Sequence, residues 1–306
     1  MARGAPPWLD GAMDLARPAE VAPEEGGPPP FRILRPLTQR LPFVLASPHS
    51  GRAYPPAFLR QTRLDPLALA RSEDAFVDEI FADSPALGAP LLVATFPRVF
   101  CDVNREPWEL DPAMFEEPLP DFVNSASPRV GAGLGTIARI AAGGEPIYRS
   151  RLSFADAEAR VRGFWQPYHD ALARLIAETR AAFGACLLLD CHSMPAPPAA
   201  GAVPPDIVLG DAHGTAALPR LTRAAEQILA DLGYRVRRND PYAGGYVTRH
   251  YGRPREGVQA LQIELARRLY MDEARVERTA RLARLRADMA RLVERLGDAW
   301  PELLRG

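Results

Sequence analysis

Three apolar runs in this chain end in side chains that a buried strand does not choose for packing. FVLASP runs into His49, CLLLDC into His192, and VQALQI into Glu264. Two imidazoles and a carboxylate suit a zinc ion whose fourth position is open to water. A further carboxylate nearby would take the proton from that water. One histidine at a strand end is an ordinary packed residue, but His, His and Glu at three strand ends ask for chemistry. Glu73 or Asp74, on an amphipathic segment, offers a candidate third ligand; the alternative is a solvated acidic face. Asp190 stands two residues before His192, so on a strand both side chains point the same way. It would orient the site or pair with an arginine. Cys191 points to the other face, into packing.

A second group of residues could handle an anion. Arg105, in CDVNREP, follows a strand and opens a long loop, while Arg249, His250, Tyr251 and Arg253 come after a glycine-rich turn. The planar guanidinium fork matches a carboxylate. In a chain whose positive charge is almost all arginine, the competing reading of each is a surface residue.

The elements that must carry these residues can be read from the apolar pattern. FRILRP (31–36) predicts a strand, PFVLASPHSG (42–51) a buried run with a polar corner, and PLLVATF (90–96) another buried strand. At 66–82, Leu69, Phe76, Ile80 and Phe81 fall at roughly helical spacing, predicting one amphipathic helix. Residues 106–152 are rich in Pro and Gly with poor periodicity, which reads as a functional loop. A long helix is expected over 154–183, kinked or broken at Pro167. Strands follow at 185–193 and 206–210, then a helix over about 216–232. YRVRR (234–238) and YVTRHYG (246–252) read as strands around NDPYAGG, and VQALQIELA (258–266) as a further buried strand. An arginine-rich helix is expected over 272–300. Helices alternating with short apolar strands predict an α/β fold, a mostly parallel or mixed central sheet flanked by helices. Ligands gather beyond the carboxyl ends of such strands.

The 306 residues suffice for a sizeable core, and 47% apolar with 25% charged residues is a globular composition. A formal net charge of −1 carries no basic excess, which sets nucleic acid aside as a partner. Cys101, Cys186 and Cys191 form no CxxC pair and no disulfide framework, which predicts a reduced, cytoplasmic protein. No apolar stretch reaches the roughly 20 residues that span a bilayer, and the start lacks a signal-peptide core. Residues 1–30, rich in Pro, Gly, Ala and Glu, read as a flexible N-terminal arm, and 31–306 as one domain.

SPHSGRAYP, RSEDAFVDEIF, FCDVNREP, DCHSMP, PDIVLGD and NDPYAGGYVTRHYGRPREGVQALQIELARRLYM together resemble the N-formylglutamate amidohydrolase family, over about residues 40–275. The resemblance implies a phosphorylase/hydrolase-like α/β fold related to zinc carboxypeptidases. It implies one zinc per chain, with His49, His192 and Asp74 as ligands, Asp74 preferred over Glu73, and Glu264 as the base. Asn104 and Arg105 resemble a carboxylate clamp, with Arg253 as a further substrate-binding residue. Arg249 and His250 would approach the scissile carbonyl or a substrate carboxylate. The implied reaction is hydrolysis of N-formyl-L-glutamate to formate and L-glutamate. The rival expectations are a zinc amidase acting on another N-acyl amino acid or a short cell-wall peptide, and a silent binding protein of the same fold.

Overall fold

In the computed structural model, which describes residues 28–195 and 203–305, the apolar runs become a seven-stranded sheet. Its strands are β1 (Phe31–Leu34), β2 (Phe43–Ser47), β3 (Leu91–Ala94), β4 (Cys186–Met194), β5 (Ile207–Gly210), β6 (Val236–Arg238) and β7 (Val258–Ala266). The order across the sheet is β1-β3-β2-β4-β7-β5-β6. The middle strands β3, β2, β4 and β7 run parallel, while β1 and β5 pair antiparallel at their flanks. Every residue of β4 and β7 is buried, as continuous apolar strands covered on both faces should be. Of the expected N-terminal arm, residues 1–27 lie outside the described residues.

Helices cover both faces: α1 (Pro56–Gln61), α2 (Pro66–Ala70), α3 (Val77–Ile80), α4 (Ser84–Leu87), α5 (Pro128–Gly131), α6 (Phe154–Arg160), α7 (Gln166–Phe183), α8 (Pro219–Asp231), α9 (Tyr246–Tyr251) and α10 (Leu282–Leu304). Odd-numbered residues of β4 and β7, such as Leu189, Cys191 and Ile263, pack in one core with α3, α8 and α10. Even-numbered Leu188 and Ala260 pack in the other core, beneath α7 and α9. Further along the same even face stand Asp190, His192, Gln262 and Glu264. The strand period of two therefore carries one face from core to chemistry as it nears the carboxyl end.

Three expectations need correction. The helix expected over 66–82 is two short helices, α2 and α3, with Phe76 in the left-handed region (φ 68°) between them. Tertiary bonds outweigh its periodicity, because the Asp74 N–H donates to the His49 carbonyl. The segment at 246–252 is the helix α9 rather than a strand. Its Tyr, Val and Thr content favours extended backbone, but the Asn104 side chain captures the Val247 N–H and starts a helix instead. At 154–183 the expected helix is interrupted just ahead of Pro167: α6 stops at Arg160, a π-helical stretch covers Val161–Trp165, and α7 carries Pro167 in its first turn. The Gln166 N–H reaches back five residues to the Val161 carbonyl, the wider turn of that stretch. The C-terminal helix begins at Leu282, not 272. The Asp272 side chain caps the Ala274 and Arg275 N–H groups in a turn, and Met271–Asp272 pairs with Glu277–Arg278.

Candidate active site

The parallel strands β3, β2, β4 and β7 deliver their carboxyl ends to one edge of the sheet, and there the three strand-end residues meet. His49 follows β2 by two residues, and His192 lies near the end of β4 directly opposite Glu264 of β7 in the sheet register. Gly51 lets the corner after His49 close against the next strand's exit. A Cβ there would stand 2.3 Å from the Phe96 carbonyl oxygen.

His49 Nδ1 lies 3.3 Å from Asp74 Oδ2, and His192 Nδ1 lies 2.9 Å from the same oxygen. One ligand atom from each of the three residues falls within 4.8 Å of the others, all buried. The far ring nitrogens are held by carboxylates. His49 Nε2 is 2.8 Å from Asp102 Oδ1, and His192 Nε2 is 3.0 Å from Asp190 Oδ1. A carboxylate on the far nitrogen fixes a ring so that its other nitrogen presents a lone pair. Two such lone pairs and a carboxylate oxygen converging on one point require positive charge at their centre, from protons or a cation. This donor set fits a divalent metal of the zinc type.

The electrostatics agree with that reading. Burial alone would raise the Asp74 carboxyl, but hydrogen bonds from His192 and His49 hold it well below the carboxylate range. Burial also opposes the His192 cation, yet Asp190 and Asp74 outweigh it and lift its pKa well above the usual value. Glu264 is pushed up to about 7, chiefly by burial, with the His192 charge pulling the other way. Its Oε1 accepts from Gln262 Nε2 at 2.9 Å, and the Gln262 amide oxygen in turn accepts from the Gly245 N–H.

Glu73 is turned away from the cluster, accepting a hydrogen bond from the Tyr54 hydroxyl. Arg267, directly after the end of β7, holds this arrangement. It donates to the Arg71 and Glu73 carbonyls and reaches Asp74 Oδ1 at 3.4 Å.

The cluster opens into a cavity of about 670 Å³ whose lining includes Arg98, Asn104, Arg105, Arg129, Tyr242 and Arg249. Asn104 is already engaged, with its Oδ1 on the Val247 N–H and its Nδ2 3.2 Å from His192 Nε2. Gly245 permits that approach, since a Cβ there would stand 2.2 Å from Asn104 Nδ2. Arg105 donates to the Leu134 and Asn104 carbonyls. The loop 106–152 forms a cavity wall through Leu134, Ala138 and Ile140. His250 and Arg253 do not line the cavity: His250 stacks on Tyr246, with ring centroids 4.8 Å apart, and Arg253 donates to the Arg249 and Gly252 carbonyls.

Asp102, Arg98, Arg267, Gln262, Arg129 and Tyr242 were not singled out by sequence reasoning. Asp102 and Gln262 carried a usable signal, because each is a polar residue two positions from a predicted site residue, Asn104 and Glu264. The arginines carried none.

Comparisons with known proteins agree with this geometry. The family described as N-formylglutamate amidohydrolase matches residues 41–271. The N-formylglutamate deformylase of Pseudomonas aeruginosa is 32% identical over 240 residues, which cover 76% of this chain and 84% of that protein. That of Pseudomonas putida is 29% identical over 239 residues, covering 76% and 83%. The crystal structure of N-formylglutamate amidohydrolase from Ralstonia eutropha JMP134 superposes with a TM-score of 0.81 at 36% identity, over 90% of this chain and 99% of that one. A protein of Agrobacterium tumefaciens shares the fold at a TM-score of 0.56 and 21% identity, over 90% and 96%. With the profile spanning most of the sequence and the site residues drawn together at the sheet edge, the chain belongs to the N-formylglutamate amidohydrolase family.

Proposed function

We propose that this chain hydrolyses N-formyl-L-glutamate to formate and L-glutamate, with His49, Asp74 and His192 holding one zinc ion and Glu264 as the general base. The observation that carries the reading is the convergence of His49 Nδ1 and His192 Nδ1 on Asp74 Oδ2, with Glu264 beside His192 in the sheet register. When bound, the zinc supplies Lewis acidity to the scissile carbonyl and acidifies the attacking water. Glu264 takes a proton from that water as the oxygen adds to the formyl carbon. It then delivers the proton to the amide nitrogen as the carbon–nitrogen bond breaks. A carboxyl group lifted towards neutrality by burial can both accept and return a proton. Arg98 lies 2.8 Å from Asp102 and 4.0 Å from Asp74, near enough to the cluster to donate to the developing oxyanion. Arg105, fixed by its two carbonyl contacts, binds the α-carboxylate. Asn104 holds the first turn of α9 beside the substrate through the Val247 N–H.

The cavity volume and its Leu134, Ala138 and Ile140 wall favour a second reading, hydrolysis of a bulkier N-acyl amino acid by the same centre. Three buried free cysteines support a reducing, cytoplasmic location. Among the described residues, no helix is long and apolar enough to cross a membrane. The test is formate or acid release from a panel of N-formyl, N-acetyl and peptide substrates, with zinc supplied and with zinc chelated. N-formyl-L-glutamate should lead the panel, and chelation should abolish turnover. Activity that survives exhaustive chelation sinks the metal assignment, and preference for a larger acyl group selects the second reading.

A further inference from the structure

The cavity holds more positive charge than its carboxylates neutralise. Arg98 and Arg267 are tied to Asp102 and Asp74, and Arg105 spends hydrogen bonds on two carbonyls. Arg129 and Arg249 differ from all three. Both line the cavity, and among the described residues neither side chain makes an ion pair or a hydrogen bond. They come from separate elements, Arg129 from α5 in the 106–152 loop and Arg249 from α9.

Each is placed by contacts of its own backbone. The Ser127 hydroxyl caps the Arg129 N–H at 3.2 Å, and the Asn104 side chain anchors the first turn of α9. The two like charges share one cavity wall, and burial together with the Arg249 charge pushes the Arg129 guanidinium below its usual pKa. The acids around Arg129 are engaged elsewhere: Glu109 accepts from Ser127, Glu106 from Asn124, and Asp102 is held by His49 and Arg98. Unpaired like charges held together at a cavity wall are destabilising in themselves, and a bound anion would relieve them.

We propose that Arg129 and Arg249 together bind the side-chain carboxylate of the substrate's amino acid, and so select an acidic residue over its neutral amide. This rests on the amidohydrolase reading above. The division of charges within the cavity supports the assignment. Arg98 is held on Asp102 and Asp74, and Arg105 follows Asn104, whose Nδ2 lies 3.2 Å from His192 Nε2. An α-carboxylate sits on the carbon bonded to the amide nitrogen and falls to Arg105, next to the cluster. The carboxylate at the far end of a glutamyl side chain falls to the unpaired arginines that remain, Arg129 and Arg249.

The test compares N-formyl-L-glutamate with N-formyl-L-glutamine, near-equal in size and unequal in charge. Wild type, Arg129→Gln, Arg249→Gln and the charge-keeping Arg129→Lys are assayed with zinc supplied. The glutamate compound should lose roughly ten- to a hundredfold in kcat/KM in each Gln variant, mainly through KM. That loss should exceed the loss on the glutamine compound by about tenfold or more, and Arg129→Lys should recover part of it. Melting temperatures should hold or rise, because a repulsion has been removed. Equal losses on both substrates, or an unchanged ratio in folded variants, overturn the proposal. Calorimetric binding of L-glutamate against L-glutamine to the same proteins repeats the comparison without turnover. A wild type that prefers L-glutamate, loses that preference in the variants, yet fails to hydrolyse N-formyl-L-glutamate contradicts the activity and upholds this pair. A wild type that hydrolyses the substrate but shows no preference for the acidic ligand overturns the pair alone.

Discussion

Asp74 receives both imidazoles and an arginine, while Glu73 beside it, also buried, accepts from Tyr54 instead. Adjacent carboxylates with such different surroundings should behave differently when removed. Asp74→Ala is expected to lose zinc during purification, and Glu73→Gln to retain about one zinc per chain, the count of a mononuclear site, by elemental analysis. Equal retention in the two variants would move the third ligand elsewhere. Glu264 works as a base only when deprotonated, and burial raises its pKa from 4.5 to about 7. Turnover should therefore rise with pH along an acid limb. A nearby cation favours the carboxylate, so the limb's midpoint should lie at or below about 7. A pH–kcat profile that falls over that range instead would contradict the assignment.

At the scale of elements, the segment between α2 and α3 decides whether Asp74 reaches the site, and Arg267 from the end of β7 holds it there. Arg267→Met keeps much of the volume and removes the donors to the Arg71 and Glu73 carbonyls. Metal affinity should fall by roughly 10–100-fold, the cost of losing a residue that orients a ligand. A chelator competition titration, read beside the melting temperature, checks this; unchanged affinity in the folded variant would show that the segment holds itself. The same segment marks the limit of what local sequence can say. β2, β4 and β7 were legible because apolar runs interrupted by one polar residue leave a strand few alternatives, and His49, His192 and Glu264 came with them. The break at Phe76 was not legible, since the bonds that impose it come from His49 and Arg267, far along the chain. Nor was α9, whose residues prefer extended backbone and become helical only because Asn104 captures Val247. Arg129 and Arg98 look like any other arginine until the fold places them.

Across the whole molecule, α7, α9 and the chain leaving β3 are joined behind the site by one buried histidine. His169 Nε2 donates to the Val103 carbonyl at 2.8 Å, its Nδ1 lies 2.9 Å from the Tyr251 hydroxyl, and its ring stacks on Trp165. Burial lowers its pKa from 6.5 to about 3 against the pull of the Val103 hydrogen bond. The unfolded chain binds a proton near 6.5 that the folded chain refuses until about 3. This contribution to stability is therefore fully present above pH 6.5 and is lost as pH falls through that window. The slope is at most about 1.4 kcal/mol per pH unit. His169→Gln should flatten the acid side of the melting temperature–pH curve relative to wild type, and an unaltered slope would locate the acid sensitivity in another group.

All of this converges on whether Glu264 moves the proton at a metal centre or merely fills a buried position beside one. The direct measurement is zinc content, melting temperature and kcat on a single preparation of Glu264→Gln. The substitution keeps the side-chain volume and the contact with Gln262 while removing the base. The expected result is a folded protein with about one zinc per chain and a kcat on N-formyl-L-glutamate lower by roughly 10²–10⁴. A folded, zinc-loaded Gln variant that turns over at close to the wild-type rate would contradict it.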